Sequence, residues 1–321
     1  MLDVNKRVYN HRPGHCRVVE GVEHGSEDIA LVEDEGIVFV TSGVQYLTPR
    51  GNRRKLFQDV KGQIFLYDFK QEGNWKVVPV KINGKYDQGN FHPHGISHII
   101  TPLGIVRLFV INHSKSFQHS VPNDLVAVSE DAFILSNDGS SQSSLLNMLE
   151  ILSMYPFGSI VFYDGKVSHW LQSSAVSPNG IALDQERTHL IVSHINSKLI
   201  SVYKLEQDYR SLSHVADIPL LTSADNLYVD KSGAVWTGAH PVSKDAIKHL
   251  RNCEDLKNYG PSQVLRIIFS KGYRSWEISE PFADDGRLIS SSSIAVPYNN
   301  QLLIGSVCRQ LVHCGIRPET I

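Results

Sequence analysis

Side chains with oxygen ligand atoms stand in short clusters at separate points of this 321-residue sequence. The clustered residues are Glu27, Asp28, Asn123, Asp124, Asn137, Asp138, Asn179, Asp225 and Asn226. Calcium binds about six to eight oxygen atoms from carboxylates, amides, backbone carbonyls and water. The cysteines form no CxxC pair and no zinc-finger spacing with histidine, so the softer donors that zinc favours do not cluster in the sequence. Calcium is therefore the metal that the clusters favour.

Two of these clusters are the dipeptides Glu27-Asp28 and Asn137-Asp138. Neighbouring side chains on extended backbone point in opposite directions, so each dipeptide can place one member on one ion and the other on a second ion. Burying such carboxylates without a positive partner costs free energy. Taken singly, each dipeptide is better explained as a turn or a helix cap, and this alternative stays open at this point.

Composition excludes some partners and leaves the state of the cysteines open. Lys and Arg total 31 against 33 for Asp and Glu, so no net positive field favours nucleic acid. No apolar run approaches the roughly 18 residues of a membrane span. Residues 1–17 are polar and basic, so no signal peptide is visible in this chain. From their number alone, the four cysteines are as well explained as buried thiols as by disulfides.

Short runs of apolar, β-branched and aromatic residues dominate the sequence and predict strands. They include Ile37–Val40, Ile64–Tyr67, Leu108–Ile111, Ile160–Tyr163, Leu190–Val192 and Leu302–Ile304. Turn-forming pairs such as Asn83-Gly84 and Asp164-Gly165 separate the runs. Helical periodicity is confined to residues 144–154 and 243–256, which we interpret as insertions between strands.

A pattern of two small or polar residues before an apolar strand recurs six times. The occurrences are Glu27-Asp28-Ile29, His94-Gly95-Ile96, Asn123-Asp124-Leu125, Asn179-Gly180-Ile181, Asp225-Asn226-Leu227 and Ser292-Ser293-Ile294. A four-stranded propeller blade takes about 40–50 residues, so the average spacing predicts a six-bladed β-propeller with one short blade. The innermost strands would line the central tunnel and start with polar residues that face it. Any single occurrence is weak support, because polar turn formers precede strands in many β proteins.

Longer motifs make the sequence more specific. They are Gly25-Ser26-Glu27-Asp28-Ile29, Phe91-His92-Pro93-His94-Gly95-Ile96-Ser97, Ile111-Asn112-His113, Asn123-Asp124-Leu125-Val126-Ala127-Val128, Asn137-Asp138, Asn179-Gly180-Ile181, Ser223-Ala224-Asp225-Asn226 and Gly238-Ala239-His240-Pro241. They run in order over nearly the whole chain, from about Cys16 to Cys314. In these motifs the chain resembles the serum paraoxonase/arylesterase family.

The resemblance implies an all-β fold, a six-bladed β-propeller with two calcium ions in its central tunnel. The propeller is expected at residues 16–321, after an N-terminal extension at residues 1–15. The catalytic ion is implied to bind Glu27, Asn137, Asn179, Asp225 and Asn226. The deeper structural ion is implied to bind Asp28, the backbone carbonyl of Ile96, and Asp138. A disulfide between Cys16 and Cys314 is also implied, which is typical of an oxidising compartment.

The same resemblance implies a calcium-dependent hydrolase of lactones and aryl esters, in which calcium polarises the carbonyl of a small substrate. His94 is expected to act as the general base on water, and His113 to orient it or relay its proton. His240 and Tyr46 are expected in the wall of the pocket. The resemblance alone implies secretion, with possible lipoprotein or membrane association.

The sequence departs from the family pattern at three places. Only residues 114–122 separate His113 from Asn123, which leaves no room for the outer strand pair of the second blade. The family's apolar N-terminal segment is missing. Ala239 stands where the family has a cysteine, and Pro178 replaces an aromatic residue before Asn179.

Two other functions stay open beside the hydrolase. The first is a catalytically weak, calcium-binding propeller that acts as a chaperone or assembly partner for membrane proteins. The second is a sugar-acid lactonase on a similar propeller, which fits the specific motifs less well. The presence of His94 and His113 favours the enzyme, whereas the shortened blade favours the scaffold.

Overall fold

The regular structure of this chain is almost entirely β-strand. The computed structural model describes residues 3, 5–44, 60–71, 73–114, 122–141, 150, 153–253, 255 and 257–317. The strands are β1 Cys16–Val19, β2 Ile29–Val32, β3 Ile37–Ser42, β4 Gln63–Asp68, β5 Val78–Pro79, β6 Pro93–Ile100, β7 Val106–Asn112, β8 Pro122–Ala127, β9 Phe133–Asn137, β10 Gly158–Tyr163, β11 Ser168–Ala175, β12 Pro178–Leu183, β13 His189–His194, β14 Leu199–Leu205, β15 Leu212–Pro219, β16 Ser223–Val229, β17 Val235–His240, β18 Ser262–Phe269, β19 Trp276–Asp284, β20 Ser292–Tyr298, β21 Gln301–Ser306 and β22 Leu311–Gly315. Helix α1 spans Ser243–Leu250, and 3-10 turns span Gln88–Asn90 and Lys271–Tyr273.

The strands form antiparallel sheets that are the blades of a β-propeller. Four complete blades are consecutive in sequence: β2-β3-β4-β5, β8-β9-β10-β11, β12-β13-β14-β15 and β16-β17-β18-β19. The fifth complete blade has the order β1-β22-β21-β20 and takes its outermost strand from the other end of the chain. The register pairs Cys16 with Cys314, and a disulfide joins these two residues. Strand pairing and a covalent bond therefore close the ring at the same place.

The prediction of six blades is wrong in its count. Five sheets have four strands, whereas β6 and β7 form a two-stranded sheet among the described residues. The sequence leaves few residues between His113 and β8, so the chain cannot build an outer strand pair there. The short unit lies where the spacing of the repeated motifs was too small for a blade.

The hydrophobic core lies between neighbouring blades. Every residue of β12 is buried, because this inner strand is covered on both faces. In contrast, the outer strand β15 is largely exposed or half-buried. One of the clusters between blades joins Ile191 and Ile200 to Val235 and Ile267. The inner strands are therefore apolar and the outer strands polar, because neighbouring sheets cover the inner strands while the outer strands reach the surface.

Helices contribute little to this fold. The predicted helix at residues 243–256 is present but shorter, because α1 ends at Leu250. Most of the predicted helix at residues 144–154 lies outside the described residues. Among the residues that the structure describes, no helix has the length and apolar character needed to cross a membrane.

The segment before β1 lies against the propeller. His11 forms an isolated bridge with Ala283 of β19, and the carboxylate of Asp3 accepts hydrogen bonds from Lys198 and Ser243. The division into an extension at residues 1–15 and a propeller at residues 16–321 stays a prediction. All four cysteines are paired, since a second disulfide joins Cys253 and Cys308, so the alternative of four thiols is wrong.

Candidate functional site

The candidate site is built where the innermost strands begin. In β6, β8, β12, β16 and β20 the pairing register shifts near the first residues of the strand. Such a β-bulge bends the strand and re-aims its side chains. Asn179 lies within the shift of β12, and the pair Asp225-Asn226 lies within that of β16. The bulges therefore release these polar residues from the strict alternation between the two faces of a sheet.

Glycines let consecutive inner strands approach closely beside these bulges. A Cβ atom on Gly180 would lie 2.5 Å from the carbonyl oxygen of Asp225. A Cβ atom on Gly95 would lie 2.8 Å from the carbonyl oxygen of Asn123. Only glycine allows backbones to come this close. Gly95 and Gly180 thus allow polar residues of neighbouring inner strands to lie close together.

Glu27 connects residues from three separate parts of the chain. Its Oε1 atom accepts a hydrogen bond from Asn226 Nδ2 at 2.9 Å and lies 3.1 Å from Nε2 of His94. All three side chains are buried. Burial, followed by the nearby carboxylate of Asp225, raises the pKa of Glu27 well above its usual range. A cation at this point would remove that penalty by favouring the charged carboxylate.

His94 and His113 form the expected pair. Nδ1 of His94 lies 2.9 Å from Nε2 of His113, which is hydrogen-bond distance. Burial lowers the pKa of His94 to about 4. Burial and the neighbouring His94 lower the pKa of His113 to about 3. Both imidazoles are therefore neutral at pH 7, and each has one donor and one acceptor nitrogen.

Several buried oxygen atoms of the site have no hydrogen-bond partner among the described residues. They are Glu27 Oε2, Asn137 Oδ1, Asn179 Oδ1 and Asn226 Oδ1. Each unpaired buried polar atom costs about 1–3 kcal/mol, and such atoms are rare in native proteins. Four of the five residues implied to hold the catalytic ion carry one of these atoms. Their donor chemistry fits a calcium ion, which prefers carboxylate and amide oxygen.

Asp28 and Asp124 form a second carboxylate cluster. Asp28 accepts hydrogen bonds from the backbone N–H groups of Ile29 and Ile96 at 2.8 and 2.7 Å. Asp124 repeats this arrangement with Leu125 and Ile181 at 2.6 and 2.8 Å. The two buried carboxyl groups lie close enough to affect each other's charge.

The pKa values of both carboxyl groups are raised well above the usual range. Burial is the main cause, followed by the charge of Glu27 for Asp28 and that of Asp28 for Asp124. Two adjacent buried carboxylates cannot both stay charged without a cation. Their arrangement therefore fits a second ion at this point.

Asp124 is a carboxylate of this cluster that the sequence analysis does not place on the deeper ion. It was noted as an oxygen donor, but the deeper ion was assigned to Asp28, Ile96 and Asp138. A signal was present, because Asn123-Asp124-Leu125 repeats the order of polar residue, aspartate and apolar residue found in Glu27-Asp28-Ile29. The roles of Asp138 and of the Ile96 carbonyl stay predictions. The described contact of Asp138 is with Asn123 Nδ2 at 3.4 Å.

The remaining predicted site residues have separate surroundings. Nε2 of His240 lies 2.9 Å from Oδ2 of Asp225, so this histidine contacts a residue of the ligand set. Asn137 Nδ2 donates to Ser159 Oγ at 3.0 Å, which directs its oxygen away from that hydroxyl. Tyr46 lies outside the described residues, and its place in the wall stays a prediction.

The fold and the site together define a class of protein, a β-propeller with a cluster of buried oxygen donors and a histidine pair among its inner strands. Comparison with known proteins identifies the family. The model of the family described as Arylesterase matches residues 8–122 and 115–316. The chain therefore belongs to the arylesterase family, and this membership supports a hydrolase of the lactonase or esterase type.

Individual relatives agree with the family assignment. The chain is 30% identical to mechanosensory abnormality protein 6 of Caenorhabditis elegans, over 100% of this chain and 91% of that protein. It is 29% identical to serum paraoxonase/arylesterase 2 of Gallus gallus, over 94% of this chain and 89% of the relative. Regucalcin of Agrobacterium tumefaciens, described as a calcium-binding protein, shares the fold with a TM-score of 0.55 at 10% identity, over 96% of each chain.

Proposed function

We propose that this chain is a calcium-dependent hydrolase of lactones and aryl esters. The observation that carries the proposal is the set of buried, unpaired oxygen atoms beside a histidine pair. Glu27 belongs to both parts, since it offers Oε2 as a free ligand atom and places Oε1 next to His94. A structural cluster without a ligand would pair these oxygens internally.

The catalytic calcium ion would be held by Glu27, Asn137, Asn179, Asp225 and Asn226. When bound, calcium supplies a positive charge that polarises the substrate carbonyl and stabilises the developing oxyanion. Asn226 fixes Glu27 through its amide nitrogen and keeps its own oxygen free. His240 fixes Asp225 in the same way, through the contact with its Oδ2 atom.

The second ion would have a structural role between Asp28 and Asp124. Each carboxylate is held by two backbone N–H groups, one from its own strand and one from the next inner strand. The predicted ligands Ile96, through its carbonyl, and Asp138 complete our proposed set. An ion here links the inner strands of three consecutive units.

His94 would remove a proton from the attacking water. In the tautomer with the proton on Nδ1, His94 donates to Nε2 of His113 and keeps a lone pair on its own Nε2. That nitrogen faces Glu27, and therefore the side of the ring on which the catalytic ion would sit. Nε2 takes the proton from water while Nδ1 passes its proton to His113. The low pKa values of both rings keep them neutral at pH 7, so each ring has a free lone pair. The same low values make each ring a weaker base than an ordinary histidine.

We infer an extracellular or other oxidising location from the two disulfides, because such bonds persist outside the reducing cytosol. The substrate would be a small ester or lactone, as the names of the related serum proteins indicate. Association with a lipoprotein or membrane stays a prediction.

The test is hydrolysis of phenyl acetate and of a medium-chain δ-lactone by the purified protein, in calcium and in a calcium chelator. We expect turnover only in calcium. We also expect His94→Gln to reduce kcat by about two to four orders of magnitude, the usual contribution of a general base. His98→Gln is the matched control, because His98 lies on the same strand β6 and makes no site contact described above.

Two results would overturn the proposal. One is turnover in chelator equal to that in calcium. The other is no turnover at all by a folded protein that binds calcium, which would support the non-catalytic scaffold instead. Equal losses in the His94 and His98 variants would contradict the assignment of the base.

A further inference from the structure

A second cluster of metal-ligating groups lies outside the calcium ligand sets. It consists of His249, Cys253 and Cys308, whose ligand atoms all lie within 4.8 Å of one another. His249 is on helix α1, Cys253 follows that helix, and Cys308 lies in the loop between β21 and β22. The two sulfur atoms are joined in the structure as a disulfide.

The histidine of this cluster is completely buried, and its orientation is fixed. Nδ1 of His249 lies 2.7 Å from the carbonyl oxygen of Asn258, so the proton is on Nδ1 and donates to that oxygen. Nε2 keeps the lone pair and has no hydrogen-bond partner among the described residues. A histidine whose second nitrogen is oriented by a carbonyl is the usual arrangement of a metal ligand. A disulfide alone gives no reason to bury this unpaired nitrogen beside it.

Local structure holds the two cysteines near the histidine. Cys253 lies three residues beyond the end of α1, and its Sγ lies 3.8 Å from the carbonyl oxygen of Leu250, so the sulfur stays close to the end of the helix that carries His249. The guanidinium group of Arg309, next to Cys308, donates from Nε to the carbonyl oxygen of Cys253 at 2.7 Å. Arg309 thus connects the segments of both cysteines, and a nearby positive charge favours the thiolate form of cysteine.

We propose that His249, Cys253 and Cys308 form a Zn²⁺ site when the Cys253–Cys308 disulfide is reduced. A thiol reductant supplies two electrons and two protons, the S–S bond breaks, and two cysteine thiols form while the reductant becomes a disulfide. Zn²⁺ then binds both sulfurs as thiolates and releases their two protons. The disulfide and the metal are therefore alternative cross-links between α1 and the β21–β22 loop.

The donor set and its dimensions suit zinc. Zinc binds thiolate sulfur at about 2.3 Å and imidazole nitrogen at about 2.0–2.1 Å, with tetrahedral geometry. These bond lengths place ligand atoms roughly 3.5–4 Å apart. The two sulfur atoms are bonded to each other in the disulfide, so they must move apart by roughly 1.5–2 Å on reduction, whereas His249 already lies beside both of them. Three protein ligands leave the fourth position to water. Calcium does not compete, because it prefers oxygen ligands.

The first test is a titration of the reduced full-length protein with Co²⁺, used as a visible probe for zinc, in excess calcium to fill the oxygen sites. We expect one equivalent of cobalt with the visible bands of a tetrahedral complex and thiolate charge-transfer absorption, and displacement by Zn²⁺. His249→Asn keeps a nitrogen donor for the Asn258 carbonyl but removes Nε2, so it should weaken binding about tenfold or more. Cys253→Ser removes one of the two thiolates, so it should reduce the charge-transfer band by at least half. The oxidised protein should show neither signal.

A second measurement shows which single cysteines zinc protects from alkylation. It uses the wild-type protein, so it does not depend on the variants being stable. The reduced protein is alkylated with and without Zn²⁺, and the modified peptides are quantified. Zinc should protect Cys253 and Cys308, whereas Cys16 and Cys314 serve as internal controls and should react equally in both samples. No thiolate–cobalt band in the reduced wild type, or zinc protection that is the same for all four cysteines, would overturn the proposal. Activity is not a readout here, so failure of this site and failure of the proposed hydrolase are distinguishable.

Discussion

Asp124 is a buried residue among the inner strands whose effect on stability should depend on whether a cation is bound beside it. Its carboxyl group is buried against Asp28, and burial raises its pKa well above the usual range. Without a cation this arrangement destabilises the protein, and with one it stabilises it. The same side chain should therefore affect the two states in opposite directions.

We expect Asp124→Asn to raise the melting temperature in a calcium chelator and to reduce the further rise on adding calcium. The substitution removes one of two closely placed buried carboxyl groups, and it also removes a proposed ligand of the proposed structural ion. Thermal unfolding in chelator and in calcium measures both changes. Asp131→Asn, at an exposed aspartate that pairs with Arg107, is the control and should leave both temperatures nearly unchanged. A full calcium-induced rise in Asp124→Asn would contradict the proposed role.

His313 should make stability depend on pH in a separate part of the molecule. Its side chain is buried, its ring centroid lies 4.3 Å from that of Trp75, and its Nε2 lies 2.9 Å from Gln301 Oε1. Burial, with a smaller effect of Arg17, lowers the pKa of His313 to about 4. The unfolded chain binds a proton near the ordinary pKa of 6.5, whereas the folded protein resists protonation until about pH 4. Stability is therefore lost as the pH falls from about 6.5 towards 4.

We expect His313→Gln to weaken this dependence. Between pH 7.5 and 5 the free energy of unfolding of the variant should fall by about 1–2 kcal/mol less than that of the wild type, after allowance for solvent screening. Urea unfolding at the two pH values measures the difference, and His94 and His113 contribute equally to both proteins. An unchanged pH dependence in the variant would show that protonation of His313 is not linked to unfolding.

Much of the site was predictable at the level of residue types, but the pairing of residues was not. The oxygen donors, the histidine pair and the family resemblance all come from the sequence. Which aspartate lies against Asp28 depends on the angle between neighbouring blades, and the sequence does not specify this angle. The cluster of His249 with Cys253 and Cys308 was missed for the same reason, because Cys308 lies on a different blade connection, far from the other two in sequence.

At the scale of the element, the inner strands β6 and β12 combine a bulge with a closely packed glycine. Gly180 follows the bulged Asn179 within β12. Its backbone lies against that of Asn226 in the next blade. The sequence indicated this strand from its apolar residues. Its bulge was not predictable, because the register depends on the partner strand.

We expect Gly180→Ala to destabilise the protein by about 1–3 kcal/mol through overpacking. The added Cβ would lie 2.5 Å from Cα of Asn226, and only movement of the backbone relieves this clash. Urea unfolding in calcium measures the effect. Gly315→Ala is the control, because a Cβ on Gly315 meets no atom within 4 Å, and it should be close to neutral. Equal stability of the two variants would show that the inner strands are free to separate.

The short unit of β6 and β7 shows that the outer strands of a blade are dispensable for the site. His94 is on β6 and His113 directly follows β7, so the inner hairpin alone carries the pair. The short interval between two of the motifs predicted a shortened unit, whereas the number of motifs and the family resemblance both predicted six blades. The count follows from chain length between motifs rather than from the motifs themselves.

For the whole molecule, the closure of the ring is the feature that keeps distant blades together. The last blade takes β1 from the start of the chain, and the disulfide between Cys16 and Cys314 spans 298 residues. In the chain-entropy model a cross-link over so long a loop stabilises by roughly 5–6 kcal/mol. The proposed calcium ions are cross-links as well, because their ligands come from β6, β8, β12 and β16 and from the segment before β2. Both kinds of cross-link oppose the same opening of the ring, which predicts that their effects on stability are not additive.

The prediction concerns the double variant Cys16→Ser with Cys314→Ser, compared with the wild type in calcium and in chelator. We expect the variant to lose more stability in chelator than in calcium, because bound calcium still holds the inner strands when the covalent closure is absent. In calcium the strand pairing of β1 with β22 should preserve the fold, and the hydrolase activity should persist at reduced melting temperature. Thermal unfolding of both proteins under both conditions gives the coupling between closure and calcium. A loss of stability that is identical in calcium and in chelator would mean that the ions do not act across the ring, and the two sites would then be local to their strands.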